Sequence, residues 1–141
     1  MLVIRKIIQE DESSFQKFCD HVGTTEALED LETFWGIFDN DELQGYVKID
    51  LQTISVPLIS DLQAKDFNEY SIIEGLLRGT FHYCLTQNYE IVAVRDIRWL
   101  KNHLEEALDI TEKKLYNNAY FYEINLRKFF NKPCKGRSMC Q

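Results

Sequence analysis

Between positions 58 and 92 the chain reads LISDLQAKDFNEYSIIEGLLRGTFHYCLTQNYEIV, and two features of this stretch could do chemistry. The first is Asp61, which precedes Leu62 near the end of a strand-like run. A carboxylate there could take a proton from an amine, directly or through water. Asp50 and Glu42 lie on the preceding strand and turn. With 23 acidic residues in the chain, a solvated or capping acid is the competing reading of Asp61. The second feature is the approach to a long helix, Asn68-Glu69-Tyr70-Ser71-Ile72-Ile73. Helix N-termini offer unpaired N–H groups to phosphates, so the amides from Glu69 to Ile73 could cradle an anion. No glycine is present to give the close approach and positive φ that such loops use. Glu69 would repel a phosphate at about 4–6 Å by roughly 3–4 kcal/mol before screening, and Lys65 and Arg78 could offset it. The alternative is structural: Ser71 as N-cap or first-turn residue, with Glu74 three positions on completing a capping box.

The remaining reactive residue types are dispersed. His21, His82 and His103 are isolated, and no two have metal-ligand spacing. Cys134 and Cys140 are six positions apart without a second pair, which is not a zinc pattern. A disulfide between them and a free-thiol tail both remain open. Cys19 and Cys84 fall within helical patterns, where cysteine behaves as a small hydrophobe. No metal is expected.

The composition sets the frame for these residues. At 141 residues and 45% hydrophobic, the chain can bury one core. A net charge of −7 argues against a broad nucleic-acid or anionic-membrane surface. No apolar run is long enough to span a bilayer and the N-terminus is not a secretory signal, so a cytoplasmic protein is expected.

Periodicity gives the elements. Leu2 to Ile8 reads as a strand and Asp11 to Val22 as a helix capped by Asp11 or Ser13. Thr25 to Leu31 reads as a second, short helix. Thr33 to Phe38, Leu43 to Leu51 and Ile54 to Gln63 form a meander, with Asp39-Asn40-Asp41-Glu42 at its first turn. Pro57 predicts an edge, bulge or splay in the third of these strands. Tyr70 to Gln87 is a helix stopped by Asn88. Ile91 to Val94 is a buried strand, Ile97 to Leu108 a helix, and Glu112 to Asn117 with Ala119 to Asn125 a hairpin turning at Asn117-Asn118. The apolar end, Phe121 to Phe130, reads as a core strand with a docked tail, or as a homodimer surface. The fold class is α/β (α+β): a mixed, mostly antiparallel sheet with helices on both faces, as one domain over positions 1–130 and a cysteine-containing tail over 131–141.

This order of elements resembles the GNAT superfamily of N-acetyltransferases over nearly the whole chain. The stretch from 58 to 92 is similar to that family's central strand, acyl-CoA loop, helix and following strand. The family's loop runs Gln/Arg-x-x-Gly-x-Gly/Ala before a helix with a Leu-Leu pair. Anchored on Leu76-Leu77, Asn68 takes the Gln/Arg position, Ser71 the first glycine and Ile73 the Gly/Ala, and none of the three matches. In many relatives a tyrosine in the later helix protonates the leaving thiolate, and its position falls on Glu105. The tail FFNKPCKGRSMC resembles cysteine-containing tails on GNAT-like proteins of anaerobic, spore-forming bacteria.

The resemblance implies acetyl-CoA or CoA as cofactor. Leu62 and Ala64 would lie on the strand that carries the pantetheine arm, and Asn68, Glu69, Tyr70, Ser71, Ile72 and Ile73 around the phosphates. Asp61 would be the base, and an amine of small-molecule or peptide type the acceptor. The alternative is a GNAT-like scaffold without catalysis.

Overall fold

The computed structural model describes residues 1–24, 33–51 and 56–131. The expected helix at Thr25 to Leu31, the start of the strand expected from Ile54, and the tail with Cys134 and Cys140 lie outside the described residues.

Among the described residues, seven strands form one sheet in the order β1-β2-β3-β4-β5-β7-β6. The first three are β1 (Leu2–Lys6), β2 (Phe34–Asp39) and β3 (Glu42–Asp50). They are followed by β4 (Leu58–Ala64), β5 (Ile91–Arg95), β6 (Lys113–Tyr116) and β7 (Ala119–Asn125). Every neighbouring pair is antiparallel except β4 with β5. Both tight hairpins turn on paired positive φ values, 50° and 68° at Asn40 and Asp41 and 49° and 66° at Asn117 and Asn118. Asn and Asp tolerate this conformation, and it matches the twist of the strands they join.

Helix α1 (Glu12–Val22) covers one face of the sheet and α2 (Tyr70–Thr86) the other. Under α1, Phe15, Phe34 and Tyr46 meet with ring centroids 4.9 to 5.6 Å apart. Under α2, Ile73, Leu76, Leu77, Phe81 and Cys84 are wholly buried. Because the sheet is covered on both sides, β3 buries Gly45, Tyr46 and Val47 in succession, although its sequence alternates. Gly23, at φ 79°, ends α1, and Asn88, at φ 69°, follows α2 as the sequence requires. Arg5 holds the carboxylate of Asp11 through two hydrogen bonds of 2.7 and 2.9 Å, tying β1 to the start of α1. Asp11 occupies the N-cap position, but its side chain takes the Ile8 N–H and the guanidinium and makes no cap hydrogen bond.

Two expectations need correcting. Pro57 stands just before β4, not inside it, and its carbonyl accepts the Ala93 N–H at 3.0 Å. With no N–H to give, proline begins the ladder at that point. The irregularity falls at Ser60 instead: Ile59 faces Ile49 and Asp61 faces Lys48, so Ser60 is an extra residue in β4. The helix expected from Ile97 to Leu108 forms, but not as a regular α-helix. It opens with a 3-10 turn at Arg98–Leu100 and widens into a π turn at His103–Ala107.

The apolar end docks on its own chain. A short helix α3 (Leu126–Asn131) sets Phe129 edge-on to Phe81 at 5.3 Å. Among the described residues, no helix is long and apolar enough to cross a membrane.

Candidate active site

The parallel strands β4 and β5 pair only at Leu58 with Ala93 and Ile59 with Val94. Past that point β4 runs on to Ala64, held on its β3 side alone. The bulge at Ser60 coincides with the parting, as expected of a device that bends one strand away from its neighbour. The result is a wedge with one strand edge left unpaired by β5. A strand-like ligand arm can pair with such an edge.

Asp61 lies one residue past the bulge and is half-buried. One carboxylate oxygen accepts the Leu62 N–H at 2.9 Å and the Gln63 side-chain amide at 3.4 Å. The other lies 3.5 Å from the Tyr46 hydroxyl, at the outer limit of a hydrogen bond. The carboxylate is thus fixed at the base of the wedge on the α1 side. Lys48 stands opposite it in register, with its ammonium 5.5 Å from the centre of the Phe34 ring.

At the other end of β4, the chain enters α2 through a tight turn. The Asn68 and Glu69 amides bond to Asp66, and the Tyr70 amide to the Asn68 carbonyl. Ile72 and Ile73 both donate to the Glu69 carbonyl, at 3.1 and 3.4 Å. Of the amides from Asn68 to Ile73, that of Ser71 has no acceptor among the described residues. Glu69 is the N-cap residue and makes no side-chain cap hydrogen bond. The Ser71–Glu74 capping box does not form: Glu74 instead holds Arg78 at 2.9 Å, one helical turn on. Lys65 is paired with Glu42. Both cations expected to offset Glu69 are therefore engaged by other carboxylates.

Sequence reasoning looked for cations on this lip and missed those on the other. From the last residue of β5 onward the chain carries Arg95, Arg98 and Lys101, all exposed. Their spacing across the chain's turn out of β5 was the available signal. The same segment meets the α2 approach through ring contacts: Phe67 stacks on Trp99 at 4.5 Å and 29°, and Tyr70 on His103 at 5.4 Å and 26°.

Glu105, at the position where the resemblance places an acid tyrosine, accepts a hydrogen bond from the hydroxyl of Tyr122. Tyr122 sits opposite Val94 on β7, and Val94 opposite Ile59, so this phenol is level with the closed end of the wedge. Burial pushes its pKa up, and the Glu105 carboxylate, with Asp96 nearby, pushes it further. A phenol with an ordinary pKa near 10 is already a weak acid. One raised further beside a carboxylate is a poor proton donor to a thiolate. With its hydroxyl donating to Glu105, Tyr122 is an unfavourable stand-in for that tyrosine.

The structure brings Asp61, Leu62 and Ala64 to the wedge on β4 and sets Asn68 to Ile73 at the start of α2. Leu62, Ala64, Ile72 and Ile73 turn their side chains into the core, leaving only main chain for a ligand. Among the described residues, no three His, Cys, Asp or Glu side chains are grouped as a metal would require.

The fold is that of the GNAT N-acetyltransferases. A GNAT-family acetyltransferase from Staphylococcus aureus Mu50 superposes with a TM-score of 0.65 at 13% identity, over 89% of this chain and 99% of that one. PaiA N-acetyltransferase from Thermoplasma acidophilum, in complex with coenzyme A, gives 0.62 at 12% identity, over 89% and 99%. The ribosomal-protein-S18-alanine N-acetyltransferase from Escherichia coli gives 0.61 at 9% identity, over 88% and 90%. No family model and no curated protein matches the sequence.

Proposed function

We propose that this chain is an acyl-CoA-dependent N-acyltransferase, taking acetyl-CoA as donor and an amine as acceptor. The observation that carries the reading is the parting of β4 from β5 beyond Ile59 and Val94, at a bulge, with Asp61 at its base. The pantetheine arm pairs with the β4 edge at Leu62 and Ala64 as an added strand would. The phosphates sit between the Ser71 amide at the start of α2 and the cations Arg98 and Lys101 on the other lip. Asp61 accepts the proton as the amine nitrogen attacks the thioester carbonyl. The carbon–nitrogen bond forms, the carbon–sulfur bond breaks, and the CoA thiolate leaves to be protonated by water. Coenzyme A bound to the Thermoplasma acidophilum protein of the same fold supports the choice of cofactor.

A second reading is favoured by the α2 turn, whose amides are mostly spent on the chain's own acceptors. It is a scaffold of the same fold, binding CoA or a protein partner, that carries out no catalysis. Thiol release from acetyl-CoA against a panel of amines and amino-terminal peptides separates the two. The enzyme reading predicts turnover with at least one amine, and Asp61→Asn then lowers kcat about 10²–10⁴-fold. No amine-dependent thiol release from a folded protein that binds CoA would favour the scaffold.

A further inference from the structure

The two ring contacts between the lips of the wedge have no role in the chemistry above. Phe67 belongs to the approach to α2 and Tyr70 is its first residue, while Trp99 and His103 follow β5. The contacts therefore join the two segments that diverge from the open end of the wedge. Between β4 and β5 themselves, main-chain pairing has already ended at Ile59 and Val94. Phe67 and Tyr70 remain 46% and 60% exposed, so their rings lie at the surface, while Trp99 on the other lip packs against the core. His103, in contrast, is buried and begins the π turn. A π turn is a rare, widened form of helix, frequently found at functional sites.

We propose that Phe67–Trp99 and Tyr70–His103 form a two-rung aromatic clasp that ties the two lips together across the mouth of the wedge and must part before the acyl donor can enter. The proposal rests on the acyltransferase reading, since that donor is what the wedge would admit. Its energy scale suits a gate. Each stacked pair contributes modestly beyond its buried area, so the pair can hold a closed state in large excess and still yield to a ligand of micromolar affinity. A ligand that binds only the open form has its apparent affinity reduced by the fraction of molecules that are open.

The test follows coenzyme A binding by stopped-flow fluorescence in a Trp35→Phe background, which leaves Trp99 as the only tryptophan of the two in the chain. With the clasp intact, the observed rate should level off as coenzyme A rises, because opening limits it, and Trp99 emission should change as Phe67 leaves. In Phe67→Ala/Tyr70→Ala the rate should stay linear and the affinity rise roughly tenfold. Tyr70→Phe keeps the ring and should keep the plateau. Both substituted side chains are largely exposed, and circular dichroism with thermal melting checks that the double variant folds. Equal rates and affinities in the two proteins would overturn the clasp and leave the acyltransferase reading standing. Folded proteins that both fail to bind coenzyme A would overturn the two together.

Discussion

Asp61 is placed by its neighbours rather than by its own element. The bulge at Ser60 resets the register so that Asp61 faces Lys48, and the Leu62 N–H, Gln63 and the Tyr46 hydroxyl converge on its two oxygens. In the proposed reaction a carboxylate held in this way would need little reorganisation to meet an amine entering from the α1 side. The opposite partner of the reaction is less well provided. Tyr122 is level with the closed end of the wedge, but its proton is given to Glu105. Tyr122→Phe should therefore leave kcat unchanged while lowering thermal stability slightly. A large fall in kcat without a change in the coenzyme A affinity would show that Tyr122 acts on the leaving group after all. At this scale the position of Asp61 on a strand near its end was legible in the sequence, because the run to Gln63 reads as a strand. The Tyr122–Glu105 contact was not, since it joins residues seventeen positions apart whose meeting depends on β7 pairing with β5.

At the scale of elements, long periodic segments could be read closely. Helix α2 was expected from Tyr70 to Gln87 and runs Tyr70–Thr86, because an apolar face at 3.6-residue spacing and Asn88 beyond it agree on one answer. The π turn at His103–Ala107 gave no such signal, because its residues also suit an α-helix and only packing decides the hydrogen-bond pattern. Pro57 announced an irregular β4 correctly but misplaced it by three residues, since a bulge position is settled by the partner strand. The join of β1 to α1 carries its own pH dependence. The Arg5 hydrogen bonds hold the Asp11 carboxyl below its ordinary value of 3.8, with the Ile8 N–H and the Arg5 charge adding to them against a smaller cost of burial. A depressed folded pKa gives stability that is present above the unfolded value and lost as pH falls through the folded one. Asp11→Asn should thus cost about 1 kcal/mol at neutral pH, a figure reduced for the partial exposure of Arg5. That difference from the parent should shrink below about pH 4 in urea melts at stepped pH. A gap that stays constant with pH would contradict the role given to Asp11.

For the molecule as a whole, the sheet separates two tasks. Its α1 side packs aromatic rings around Tyr46 and presents Asp61, while its α2 side packs aliphatic residues and brings in the helix start at Tyr70. Both meet where β4 leaves β5, which is where an acyl donor and an amine would need to come together from opposite faces. The central claim is that this parting holds CoA despite the absence of glycines at Ser71 and Ile73. Calorimetric titration of acetyl-CoA and free CoA into the reduced protein at low salt tests it most directly. The account predicts micromolar binding, weakened about tenfold or more by Ser71→Glu, which puts a second carboxylate beside Glu69 at the phosphate position. No heat and no thermal shift at millimolar ligand would contradict it.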